Sequence, residues 1–166
     1  LTRIAMQERQ YEAARDYAIR ALGSNPDNPA LLSARAGAEL LLENTQMAAQ
    51  LAQMALQKDP NNTQARDVLV ATALQSKDPG LLEQARTLTE SALGSDPTSE
   101  QFLLSRARVL VSMELAQVAI PELEAYCQTE KGSSSVPALV TLADLYRLSG
   151  DMDRAKQRIE QAERLD

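Results

Sequence analysis

The sequence predicts an all-α fold, a solenoid built by stacking helical hairpins of one kind. Three observations predict it. The closing stretch, residues 136–166, carries two apolar stripes at helical spacing: Leu139, Leu142, Ala143 and Tyr146, then Met152, Ala155, Ile159 and Ala162. Between them, Gly150 and Asp151 supply a helix stop and a helix N-cap. The earlier chain repeats this pattern, with an Ala early in each second helix at Ala14, Ala48, Ala85, Ala119 and Ala155, in steps of 34, 37, 34 and 36 residues. The composition agrees. With no Trp, one Phe and four Tyr in 166 residues, the core falls to Leu, Ala, Val, Ile and Met, which suits close-packed helices. A single hairpin cannot bury its two apolar stripes, whereas neighbours of the same kind can.

Two further anchors keep the same period. Seven residues after each anchor Ala stand Ala21, Ala55, Ala92, Tyr126 and Ala162. An acid or amide followed by Pro closes three units, at Asn25-Pro26, Asp59-Pro60 and Asp96-Pro97, in steps of 34 and 37. Ala at a helix crossing lets the axes approach, and Pro ends one helix and opens the next.

Taken in order, the units are residues 1–28 (partial), 29–62, 63–99, 100–135 and 136–166, one repeat domain in all. The first keeps the end of a first helix, residues 1–9, and a second helix over 10–23 with Tyr11, Ala14, Ala18 and Ala21 inward. The second has helices over 29–43 and 45–58. The third carries three extra residues, assigned to a lengthened turn at Asp78-Pro79-Gly80, with Asp as N-cap and Pro at the first helical position of a helix over 79–94. The fourth has helices over 100–113 and 115–130, with Pro121 in the first turns of the second, where it costs least. The run Lys131-Gly132-Ser133-Ser134-Ser135 reads as a flexible loop holding two extra residues. The chain starts at Leu1, partway through a repeat, and reads as a piece of a longer protein.

Catalysis lacks its parts. There is no His, so the commonest general base and metal ligand are missing. Cys127 is alone and falls where Leu22, Leu56 and Leu93 stand in other units, which reads as a buried thiol. The acid pairs Glu122/Glu124 and Asp151/Asp153 are two residues apart and do not face each other on a helix. No cofactor, metal site or enzymatic activity is expected. The net charge of −6 with scattered basic residues argues against nucleic acid, and no apolar run approaches a membrane span of about 20 residues.

The closing unit resembles a tetratricopeptide repeat, through Leu142, Ala143, Tyr146, Gly150, Ala155 and Ala162 in the order of that motif. The resemblance implies a right-handed α-solenoid and a protein-interaction scaffold that holds an extended or helical partner segment in a concave groove. First helices line that groove in the family. Carried over, it comprises Ala30, Ser33, Ala34, Gly37 and Leu41; Asp67, Val68, Ala71 and Leu74; Leu104, Ser105, Arg108 and Val111; and Val140, Thr141, Asp144 and Arg147. The Lys/Asn/Arg clamp that some members use for chaperone tails is absent from these positions. Gly37 in mid-helix costs about 1 kcal/mol against Ala, which points to close approach of a neighbouring helix or of a bound peptide. The sequence departs from the motif at Arg35, Glu39, Arg66 and Arg106, where long Arg stems can lie along apolar surface.

Two rival readings stand beside the scaffold. One is an adaptor or regulatory repeat region of a larger enzyme or secretion/assembly machine, decided by the flanking sequence. The other is an RNA binder of the pentatricopeptide type, which the acidic balance opposes. Expected partners are proteins or peptides, not nucleic acid, with no membrane insertion by this stretch. Self-association is expected through the C-terminal helix, where Ile159 and Leu165 should face outward.

Overall fold

The computed structural model describes residues 1–165, so the expected end of the last unit at Asp166 lies outside the described residues. Those residues form eleven helices and no strand. They are α1 (Thr2–Gln7), α2 (Tyr11–Ser24), α3 (Pro29–Leu41), α4 (Thr45–Lys58), α5 (Thr63–Ser76), α6 (Pro79–Ser95), α7 (Glu100–Ser112), α8 (Ala116–Cys127), α9 (Glu130–Ser133), α10 (Val136–Leu148) and α11 (Met152–Glu163).

The turn inside each hairpin is the most regular feature. In four hairpins the second helix starts 16 residues after the first: Pro29 to Thr45, Thr63 to Pro79, Glu100 to Ala116, and Val136 to Met152. Each turn passes through one left-handed residue, two positions before the second helix. These are Arg9, Glu43, Lys77, Glu114 and Gly150, with φ of 58°, 64°, 54°, 62° and 86°. Only Gly150 takes that conformation without a Cβ penalty, which is why one such turn in five is visible in the sequence as a stop signal. Lys77→Gly should therefore raise stability by about 1 kcal/mol, read as a higher urea midpoint. An unchanged midpoint would mean that the turn carries no strain.

The extra residues do not lengthen the turn at Asp78. That turn keeps the common spacing, and Asp78 caps its helix by accepting the Leu81 N–H at 2.9 Å. The additional three residues lie in α6, which has 17 residues where α2 and α4 have 14. Nor is the run at residues 131–135 an open loop. Thr129 caps a helical turn, α9, by accepting the Gly132 N–H at 3.0 Å, and Ser135 caps α10 through the Ala138 N–H at 3.2 Å. Pro121 is the sixth residue of α8.

By packing, the chain forms two compact units, Leu1–Ala85 and Arg86–Asp166. In the first, α3 packs against α2, α4 and α5. Leu32, Ala36, Ala48, Ala52, Leu69 and Ala73 are each at most 2% exposed there. In the second, α10 packs against α7, α8 and α11 around Leu110, Leu123, Leu139, Leu142, Leu145 and Tyr146. The first anchor row, Ala14, Ala48, Ala85, Ala119 and Ala155, is buried throughout. In the second row Ala55, Ala92, Tyr126 and Ala162 are buried, whereas Ala21 is half-buried beside the fully buried Ala18.

The departures from the motif are ion pairs, not slips of register. Glu39, where Tyr146 stands in the last unit, is buried. It accepts from Asn44 Nδ2 at 2.8 Å and lies 3.5 Å from Arg35 one turn back. Arg106, where Leu69 and Leu142 stand, is buried against Glu122 at 2.9 Å, with Glu90 at 3.9 Å.

Candidate interaction surface

The residues expected in the groove separate by burial. In the first unit, Ser33, Gly37 and Val68 are packed inside. The single proton of the Ser33 hydroxyl has two acceptors in reach, the Ala30 carbonyl at 3.1 Å and Gln64 Oε1 at 3.3 Å. A Cβ on Gly37 would meet Met6 at 3.6 Å and Val68 at 3.7 Å, ordinary contacts that leave room for Ala. Close approach of a neighbour therefore does not account for that glycine. Surface remains at Ala30, Leu41 and Asp67, and in part at Ala34, Ala71 and Leu74.

In the second unit the expected residues lie along α7 and α10, each at least partly exposed. Leu104 and Ser105 are half-buried, and Arg108 and Val111 are exposed. On α10, Val140 is exposed, Thr141 turns its hydroxyl back to the Pro137 carbonyl at 2.7 Å, and Arg147 pairs with Asp144 at 3.2 Å. Both members of that pair are more than half exposed, so it holds Arg147 only weakly. Arg108 has no hydrogen-bond or ion-pair partner among the described residues.

Leu104, Ser105 and Arg108 line an open cleft of about 630 Å³, completed by Asp96, Thr98, Ser99, Glu100, Gln101, Lys131 and Pro137. Sequence reasoning misses this rim, because α9 reads as a loop. Glu100, at the start of α7, is fully engaged there. Its Oε2 accepts from the Tyr126 hydroxyl at 2.8 Å and its Oε1 from the Ser135 hydroxyl at 2.9 Å. Burial first, and then the bond to Glu100, push the Tyr126 phenol up to about 12, so it remains a donor far above neutral pH. Next to it, burial pushes the Cys127 thiol up, which leaves it an unreactive core residue. Deeper in the unit, the Tyr146 hydroxyl bonds Glu124, and the Arg154 guanidinium stacks 4.5 Å over the Tyr146 ring.

Among the described residues no group of three or more His, Cys, Asp or Glu is placed to hold a metal ion, and no helix is long and apolar enough to cross a membrane. The arrangement of paired helices stacked on like neighbours is that of a helical-repeat protein. Two tetratricopeptide repeat models match the sequence, over residues 2–63 and 136–166. Together they cover more than half of the chain, which belongs to the tetratricopeptide repeat family.

Solved structures show the same fold. MamA from residue 41 to its end, from Desulfovibrio magneticus RS-1, superposes with a TM-score of 0.83 at 15% identity, covering 99% of this chain and 90% of that one. TTC0263, a thermophilic TPR protein of Thermus thermophilus, gives 0.70 at 24% identity, covering 96% and 87%. The fold class is that of a tetratricopeptide α-solenoid, as expected from the sequence. No curated protein matches the chain by sequence. Proteins of this family are in general protein–protein interaction scaffolds and typically not enzymes.

Proposed function

We infer that the chain is an interaction scaffold whose second unit holds an extended or helical segment of a protein partner along α7 and α10. The observation that carries this reading is the row of Leu104, Ser105, Arg108 and Val111 on α7, of which Arg108 and Val111 are exposed and Leu104 and Ser105 keep part of their surface at an open cleft. A partner segment laid there would bury apolar surface at Leu104, Val111 and Val140, and would be fixed in register by Arg108 and Arg147. Long polar side chains at the edge of an apolar row set specificity more than affinity.

Reversing Arg108 and Arg147 to Glu tests the reading. Both side chains are exposed, so helical circular dichroism and the melting temperature should stay close to the parent's. Binding of a partner recovered by pull-down with the parent chain should be lost. Unaltered affinity would move the binding surface elsewhere, to the opposite helix faces or to the first unit.

A further inference from the structure

The same repeat positions are closed in the first unit and open in the second. Counted from the start of each first helix, Ser33 and Gly37 on α3 correspond to Leu104 and Arg108 on α7. On α3 both are covered by α5. Ser33 is fully buried with Gln64 Oε1 at 3.3 Å, and a Cβ on Gly37 would meet Val68 at 3.7 Å. On α7 both line the cleft, although α10 follows α7 in the repeat as α5 follows α3. The second anchor of the hairpin changes in step. Ala55 stands there in α4, and Tyr126 stands there in α8. Ala lets helices approach at a crossing, and interaxial distances of about 8–10 Å depend on the side chains at the contact. Tyr126 is buried in the core that holds Leu103 of α7 and Leu139 of α10. Its ring lies against Gly132 of α9, and its hydroxyl donates at 2.8 Å to Glu100, which lines the cleft. The other oxygen of Glu100 accepts at 2.9 Å from Ser135, the N-cap of α10.

We propose that Tyr126 is the positioning residue of this interaction surface, a spacer that parts α7 from α10 and so opens the cleft. The proposal rests on the interaction reading above and deepens it, because it makes the cleft a built part of the fourth hairpin. Three features serve this one side chain. Gly132 leaves room for the ring where any Cβ would overlap Tyr126. The connection is longer: α10 starts 20 residues after α8 (Ala116 to Val136), whereas α5 starts 18 after α4 (Thr45 to Thr63), which gives the chain length to pass the ring. Glu100 holds the hydroxyl and joins α7 to the start of α10 through Ser135. Tyr126 itself is buried and acts through Leu104 and Arg108, whose side chains have the space that Ser33 and Gly37 lack.

The test reads the cleft in the whole chain and needs no partner. In a Cys127→Ala background, Leu104→Cys places a single thiol in the cleft wall, and its rate of alkylation by iodoacetamide is measured under native conditions. Tyr126→Ala is expected to slow that reaction about tenfold, as α7 and α10 close in the manner of α3 and α5. Tyr126→Phe keeps the ring and is expected to keep the parent rate. Circular dichroism and a cooperative melt establish that each variant is folded, and Tyr126→Val is read in place of Tyr126→Ala if the latter is not. An unchanged or faster rate in the folded variant overturns the proposal. Equal slowing in Tyr126→Phe overturns it as well, because the hydroxyl and not the ring would then hold the helices apart. Neither result bears on the interaction reading, which stands or falls on the Arg108→Glu/Arg147→Glu pair.

Discussion

Gly132→Ala is expected to destabilise the protein by about 3 kcal/mol, the upper end of the cost of overpacking a well-filled site. Gly132 is buried in α9, directly against the end of α8. A Cβ there would overlap the Tyr126 carbonyl, lying 2.6 Å from its carbon and 2.9 Å from Tyr126 Cδ1. The obstacle is backbone, so no rotamer change relieves it. The same carbonyl accepts the Thr129 N–H at 2.9 Å and the Thr129 hydroxyl at 2.7 Å, which ties α9 to α8 at that point. To admit the methyl group, α9 must lift away, breaking those bonds and withdrawing Lys131 from the cleft. Urea unfolding reads the loss as a lower midpoint. A midpoint within error of the parent's would show that α9 is a loosely held turn. In contrast, Gly37→Ala meets only ordinary contacts, so the two buried glycines should respond in opposite directions.

The contrast shows which features of this fold can be read from residues. The repeat is legible because one requirement recurs five times: Ala where two helices cross, at Ala14, Ala48, Ala85, Ala119 and Ala155. Helix starts are legible where a cap is written into the sequence, as at Asn28-Pro29, Asp78-Pro79 and Asp151. The left-handed turn residues are hidden, because Arg9, Glu43, Lys77 and Glu114 carry no mark of the conformation imposed on them. Helix α9 is hidden for the opposite reason. Gly and Ser look like a loop locally, while Gly132 is present for its lack of a side chain against Tyr126. Of the residues lining the cleft, Leu104 and Arg108 are legible through their repeat position. Lys131 is missed because it belongs to an insert with no counterpart in the other units. Burial of Ser33 and Val68 is equally invisible, since a repeat position does not say which first-helix side chains the next helix will cover.

Arg106 provides the second large effect, through a contrast between two variants. It stands where two other units place Leu69 and Leu142, and its side chain is 9% exposed. Its Nε donates to both oxygens of Glu122, at 3.1 and 2.9 Å. One terminal nitrogen, Nη1, is buried without a hydrogen bond, and Glu90 lies 3.9 Å from it. Bringing a guanidinium this far out of water costs several kcal/mol, and Glu122 is what offsets it. Glu122→Ala removes that partner and leaves the charge buried. The expected cost is about 2–4 kcal/mol, reaching below the range for a fully buried pair because Glu122 itself keeps a third of its side chain in water. Arg106→Leu removes the buried charge instead. The freed Glu122 can turn to solvent, and the new side chain is the one that Leu69 and Leu142 already place at this position, so stability should stay within about 1 kcal/mol of the parent. Chemical denaturation of the two variants side by side decides it. If Arg106→Leu is as damaging as Glu122→Ala, the ion pair is a net source of stability. If neither moves the midpoint, water reaches the guanidinium and the pair is a surface contact. The double variant closes the cycle: once Leu stands at 106, losing Glu122 should cost little, because the only buried charge it served is gone.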